Sequence, residues 1–237
     1  MRNCYITSTN ALIGLWLITP FSSVAGTEPS VQLLGGVEIS RDASYAYAGR
    51  VTPLPGSQLG NGIVSRLWVD WSTYKYEKNN VSYDASVPGV EIALGYQHAK
   101  ADYWWSAFGG VIYHYTSISP HDPESAAQGG KFRTKLQVEG EQKINQLWKL
   151  SGNASYIFGQ EAYWTRARLF RSIGSGHRLG LEAIIQGDPD YRLTQVGVVL
   201  FGIKLSDEIS TGVKIGVRKA EGLNSQAYMG VELENRF

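Results

Sequence analysis

The chain has almost no cysteine, no long apolar run and no surplus of charge of either sign. Its one cysteine, Cys4, lies near the start of the chain. A single thiol builds neither a disulfide framework nor a cysteine metal cluster, so packing and hydrogen bonding must hold the fold together. No stretch reaches the roughly 20 consecutive apolar residues that a spanning helix needs. Lysine plus arginine number 22 and aspartate plus glutamate 21, which excludes the strong positive field expected of a nucleic-acid binder. A phosphate-cradling glycine loop between a strand and a helix is also missing.

In their place the sequence is rich in glycine (27), tyrosine (14) and tryptophan (7). The first 25 residues read as a secretory leader. Arg2 supplies the positive start, Ala11–Thr19 the apolar core, and Ser23-Val24-Ala25 the small residues for cleavage before Gly26. Cys4 precedes that core and is misplaced for a lipoprotein cysteine. The expected organisation is a signal peptide over 1–25 and one domain over 26–237.

That domain alternates. In Ala227–Phe237, Ala227, Met229, Val231 and Leu233 form an apolar set, interrupted by Asn235 before Phe237. Tyr228, Gly230, Glu232, Glu234 and Arg236 form the other set. Period two is the signature of a strand with two unlike faces. The same reading marks about twelve strand-like segments after the leader and no convincing helix. The cleanest are Val90–Gln97, Phe132–Glu141, His177–Gln186 and Ile209–Arg218. Glu77–Asp84 reads as a loop with Asn79-Asn80 at its tip, and Ser117–Gly130 as the longest irregular stretch. The predicted architecture is an all-β, transmembrane, antiparallel up-and-down barrel in the bacterial outer membrane. An even strand number puts both termini on the periplasmic side. The Pro- and Gly-rich Leu54–Gly62 then forms an unusually long periplasmic turn. A soluble up-and-down barrel is the competing architecture.

In the membrane reading, the apolar face meets lipid. Trp71, Tyr76, Tyr103, Trp105, Tyr113, Tyr115, Trp148, Tyr156, Phe158 and Phe237 fall near strand ends as headgroup girdles. The other face collects charges of both signs, among them Arg66, Asp70, Glu91, Lys135, Glu139, Arg166, Arg168, Arg178, Glu182, Lys214 and Glu232. A barrel this small has limited free cross-section, so paired charges filling the interior are favoured over an open channel. Trp68, Tyr74, Trp104, Trp164 and Phe170 are candidates to project inward. Aromatic faces among hydrogen-bonding groups suit a sugar, which presents C–H groups on its faces and hydroxyls around its edge.

Catalytic signals are few. His114-Tyr115-Thr116 has the two-residue spacing of a strand-borne histidine and nucleophile, with threonine in place of serine. His121-Asp122-Pro123-Glu124 and Asp188-Pro189-Asp190 carry oxygens suited to a hard cation, but proline with acidic residues also simply makes turns. No catalytic residue, metal or cofactor is expected.

From Tyr45 onward, the sequence resembles the cellulose biosynthesis protein BcsS family. The resemblance lies in Tyr45-Ala46-Tyr47-Ala48-Gly49, Arg66-Leu67-Trp68 and Tyr74-Lys75-Tyr76. It continues in Ser119-Pro120-His121-Asp122-Pro123, Gly129-Gly130-Lys131-Phe132 and Glu139. Later come Tyr163-Trp164-Thr165-Arg166-Ala167-Arg168, Gly180 with Glu182, and Gly187 with Tyr191-Arg192. Gly180-Leu181-Glu182 departs from the family's glycine-proline-glutamate, and Gly187-Asp188-Pro189 lacks its asparagine. The resemblance implies a non-enzymatic outer-membrane barrel that assists cellulose synthesis, export or surface anchoring. It implies outer-membrane lipid, a β-glucan and other cellulose-secretion components as partners. The expected substrate-binding residues are Trp68, Trp164, Arg166, Arg168 and Glu182. The alternatives are a general small-solute porin and a lipid-modifying enzyme using His114.

Overall fold

Period-two alternation makes each segment a strand with one apolar and one polar face, and in hydrocarbon a sheet of such strands must curl to enclose the polar one. The computed structural model describes residues 31–78, 81–123, 125, 127–174, 176–189, 191–206, 209–221 and 224–236. The leader and Phe237 lie outside these residues. Twelve strands follow in order: β1 (Gln32–Ser40), β2 (Ala43–Pro53), β3 (Asn61–Lys78), β4 (Val81–Ala99), β5 (Tyr103–Ser119), β6 (Gly129–Lys143), β7 (Trp148–Ile157), β8 (Ala162–Ser172), β9 (Arg178–Asp188), β10 (Tyr191–Lys204), β11 (Ile209–Ala220) and β12 (Gln226–Arg236). Each pairs antiparallel with its sequence neighbours. β12 pairs with β1 from Gln32↔Arg236 to Ser40↔Tyr228, closing the barrel. Closure leaves no unpaired sheet edge, which is what a spanning sheet requires in hydrocarbon. No described helix is long and apolar enough to cross a membrane.

The outer surface carries the apolar set. Phe132 is 76% exposed, Ile92 68% and Leu181 63%, with Leu67, Val69, Leu136, Val138, Val196, Ile215 and Met229 beside them in the belt. Aromatic residues flank it, including Trp71, Trp105 and Tyr115. At the end bearing the termini, the outward Trp148 ring lies 5.9 Å from the Arg171 guanidinium.

Three expectations change. Glu77–Asp84 is not an open loop, because β3 continues to Lys78, β4 starts at Val81 and Tyr76 pairs with Tyr83. Pro88 lies inside β4 at a gap in the β4–β5 ladder, where Ser86 and Gly89 are paired but the residues between are not. A proline with no N–H to donate fits there. Tyr76 is not part of an outer girdle, since its hydroxyl donates to Asp122 Oδ2 at 2.8 Å. The long turn after β2 is real, but it is folded. Leu54 N–H donates to Ile63 O, Ser57 N–H to Leu54 O, and Gln58 and Asn61 exchange backbone bonds.

Candidate functional site in the barrel lumen

The inward residues form three tiers between the end bearing the termini and the opposite mouth. The base is apolar. Val51, Val64, Ala93 and Phe108 pack together, and Leu59 of the long turn packs against them. Gln97 Oε1 holds that turn in place by accepting the Gly60 N–H at 2.8 Å. Across the base, Phe170, Val199 and Phe201 form a second cluster. The Arg178 guanidinium lies 5.1 Å from the Phe170 ring and 5.3 Å from the Phe201 ring.

The middle tier is ionic and largely buried. On one wall Arg66 donates Nε–H to Glu91 at 2.9 Å and also pairs with it through Nη2. Lys135 reaches the other Glu91 oxygen at 2.8 Å. Gln137, Ser106 and Asn153 donate to Glu139. On the facing wall Arg168 donates Nε–H to Glu182 Oε2 at 2.6 Å. Its Nη1 and Nη2 both reach Glu232, at 2.8 and 2.6 Å. Arg166 adds a bond to Glu232 at 3.3 Å. Lys214 sits 2.7 Å from Glu38 and 3.2 Å from Glu232. Because β8 and β12 are four strands apart around the ring, Arg166 and Arg168 reach across the lumen rather than along the wall. Glu91 is 1% exposed and Arg168 5%. Charges this deeply buried are tolerable only when paired and hydrogen-bonded, as these are.

Glycines make room for the large inner side chains. Tyr228 donates to Glu182 Oε1 at 3.1 Å, and to do so its ring lies flat over Gly216 and Gly197. A Cβ at either glycine would collide with that ring. Trp68 lies over its cross-strand partner Gly49 in the same way, and Tyr47 over Gly36.

The mouth tier is aromatic. Tyr47 stacks on Trp68, with ring centroids 4.7 Å apart and planes 9° from parallel. Tyr45 stacks on Tyr47 at 5.6 Å and remains 37% exposed. Trp164 lies 5.3 Å from the Arg166 guanidinium. One ladder row sets Tyr47 opposite Asp70, Asp70 opposite Gly89 and Gly89 opposite His114. His114 Nε2 and Asp70 Oδ2 meet over Gly89 at 3.4 Å. At this end Asp122, just after β5, takes the Tyr76 hydroxyl, and its own carbonyl accepts Ser125 N–H.

All five residues expected to bind substrate project inward, but they do not form one patch. Arg166 and Arg168 share Glu232 in the middle tier and Arg168 also holds Glu182, with Trp164 stacked on Arg166 from β8. Trp68 belongs instead to the β2–β3 aromatic stack. Sequence reasoning passed over Tyr47, Tyr228 and Glu38. In β2 the outward positions next to Tyr47 are Ala46 and Ala48, so the strand shows no clear apolar face, and only the register gives its orientation. His114 and Thr116 face the lumen, and Ser117, on the other face, donates to the Ser86 carbonyl. The sheet therefore separates His114 from lipid outside. Among the described residues no cluster of His, Cys, Asp and Glu could hold a metal. Glu124 and Asp190, named as cation candidates, lie outside those residues.

A closed twelve-stranded barrel with an apolar belt and aromatic flanks belongs to the class of outer-membrane β-barrels. The solved structures agree. An outer membrane channel from Pseudomonas putida F1 aligns over 93% of this chain and 100% of its own, with TM-score 0.56 and 11% identity. KdgM porin in complex with disordered oligogalacturonate aligns over 87% and 99%, with TM-score 0.53 and 13% identity. The translocator domain of the autotransporter NalP from Neisseria meningitidis covers 90% of each chain, with TM-score 0.52 and 9% identity. At such identities the likeness shows the fold alone. No curated protein matches the sequence significantly. A family model does match, over residues 33–237, and the chain belongs to that family, cellulose biosynthesis protein BcsS.

Proposed function

We propose that this chain is a non-enzymatic outer-membrane barrel that assists cellulose biosynthesis by holding the emerging glucan at its aromatic mouth, rather than passing it through the lumen. Family membership supplies the pathway. The observation that carries the mechanism is the contrast along the lumen axis. The base is packed with apolar side chains and the middle is crossed by buried ion pairs, whereas Tyr45 at the mouth stays exposed on a stack with Tyr47 and Trp68. A β-glucan ring offers C–H groups to such a stack, and its hydroxyls match Asp70, His114 and the tyrosine hydroxyls around it. The leader, cleaved after Ala25, directs export. Other cellulose-secretion components are the expected partners in the periplasm and at the surface.

The test measures cell-retained and shed cellulose separately in a strain carrying Trp68→Ala with Trp164→Ala. Retained cellulose should fall several-fold while total synthesis persists, with the barrel still assembled as judged by heat-dependent gel mobility. Unchanged retention would remove the mouth from the mechanism. Planar-bilayer recording separates this reading from a general porin. The wild-type barrel should be electrically silent, and stable openings would return the porin reading.

A further inference from the structure

On the outer surface, the apolar belt ends at a defined level on β2 to β5. Below Trp71 the outward residues are Leu67, Val69, Val90, Ile92 and Val111, all well exposed to lipid. Level with Trp71 and above it, Ser44, Thr73, Ser86 and Ser117 bring hydroxyls to this face, beside the exposed Tyr115 and Ile39. These hydroxyls are ordered. Ser44 and Thr73 share a hydrogen bond at 2.7 Å, and Ser86 Oγ accepts the Trp71 indole N–H at 2.8 Å. Together they line a groove of about 500 Å³ bounded by the β1–β2 turn and by Lys75 and Asp84.

We propose that this groove binds the sugar headgroup of an outer-leaflet glycolipid. Its position directly above the lipid-facing belt makes it continuous with the membrane contact surface, so what lies against it is the headgroup of a lipid whose chains cover Val69 and Val90. Its chemistry selects the headgroup. Trp71 is 44% exposed and offers a ring face to sugar C–H groups. Each serine and threonine hydroxyl keeps hydrogen-bonding capacity beyond the bond it makes here, since a hydroxyl has one donor and two acceptor positions. The rim charges come as opposite pairs, Lys75 with Asp84 at 3.1 Å and Arg41 with Asp42 at 3.9 Å. Such a rim has no excess positive charge for a phosphate, so the recognised part is hydroxyl-rich and neutral. The site is on the outside of the barrel and is independent of any glucan at the mouth.

The experiment uses the folded full-length barrel in detergent. It is titrated with a neutral glycolipid, a diglucosyl diacylglycerol, and, separately, with phosphatidylethanolamine, and bound lipid is counted by native mass spectrometry. Wild type should retain the glycolipid in preference to the phospholipid. Trp71→Ala should reduce glycolipid retention about fivefold without changing phospholipid retention. Ser86→Ala, a smaller change that leaves the sheet intact, should reduce it in the same direction if Trp71→Ala fails to fold. Trp148→Ala at the opposite rim should leave the preference as it is. Equal retention of both lipids by wild type, or an equal loss of both in Trp71→Ala, would show an ordinary aromatic girdle and overturn the site.

Discussion

The two ends of the lumen are built from the same alternating strands and carry different chemistry. At the base the inward positions are Val51, Val64, Ala93, Phe108, Phe170, Val199 and Phe201, and the β2–β3 turn inserts Leu59 among them. At the mouth the inward positions are Tyr45, Tyr47, Trp68 and Trp164, stacked on one another or on arginine. Between these ends, carboxylates and cations pair across the ring. One wall can therefore carry an apolar tier and an aromatic tier, with paired charges between them.

The middle tier should give the largest effect. Glu232→Ala removes the acceptor shared by Arg166, Arg168 and Lys214 and leaves these three cations with only Glu182 and Glu38, so stability should fall by about 3 kcal/mol. Urea unfolding followed by tryptophan fluorescence reads this, and a stability loss under 1 kcal/mol would show that the network is not buried as described. Next comes the outer face, where the same charge that is tolerated inside is not. Leu67→Arg should cost roughly 2–4 kcal/mol at mid-belt. A neutral result would mean that this face does not meet lipid. At the mouth, Gly49→Ala pushes a Cβ into the Trp68 ring and should cost about 1–3 kcal/mol. It should also weaken cellulose retention in parallel with Trp68→Ala. The smallest effect is a gain. Asn235 faces outward between Leu33 and Ile209, and its buried Oδ1 has no partner among the described residues. Asn235→Leu should raise stability by about 1 kcal/mol, visible as a higher midpoint in the same urea titration.

Much of the barrel was legible because period two survives even where propensity is weak. The strand number, the antiparallel order and the inward face of Arg66, Glu91, Arg168, Glu182 and Glu232 all follow from alternation. What alternation cannot supply is the position of an inward residue around the ring. That Arg168 meets Glu232 on a strand four places away depends on the closure register, and no local pattern encodes it. The β3–β4 hairpin was misread for a different reason. Above the lipid belt its outward positions become Thr73, Lys75, Glu77, Ser82 and Asp84, so apolar alternation stops although the ladder continues. Leu54–Gly62 was legible as an oddity, too long for a periplasmic turn, but not as the element that carries Leu59 into the base. The segments that carried the family resemblance mostly hold lumen-facing residues: Tyr45, Tyr47, Arg66, Trp68, Tyr74, Tyr76, Glu139, Trp164, Arg166, Arg168 and Glu182.

The extended β3–β4 hairpin has a practical consequence. From Trp71 to Lys78 the strand runs on for roughly 20 Å, at ~3.3 Å per residue, with β4 paired alongside it to Val81. An even strand number, with the termini in the periplasm, predicts that the tip of this hairpin projects outside the cell. An epitope inserted between Lys78 and Val81 should be readable on intact cells, letting an antibody count barrels at the surface and follow their distribution along a cellulose-producing cell.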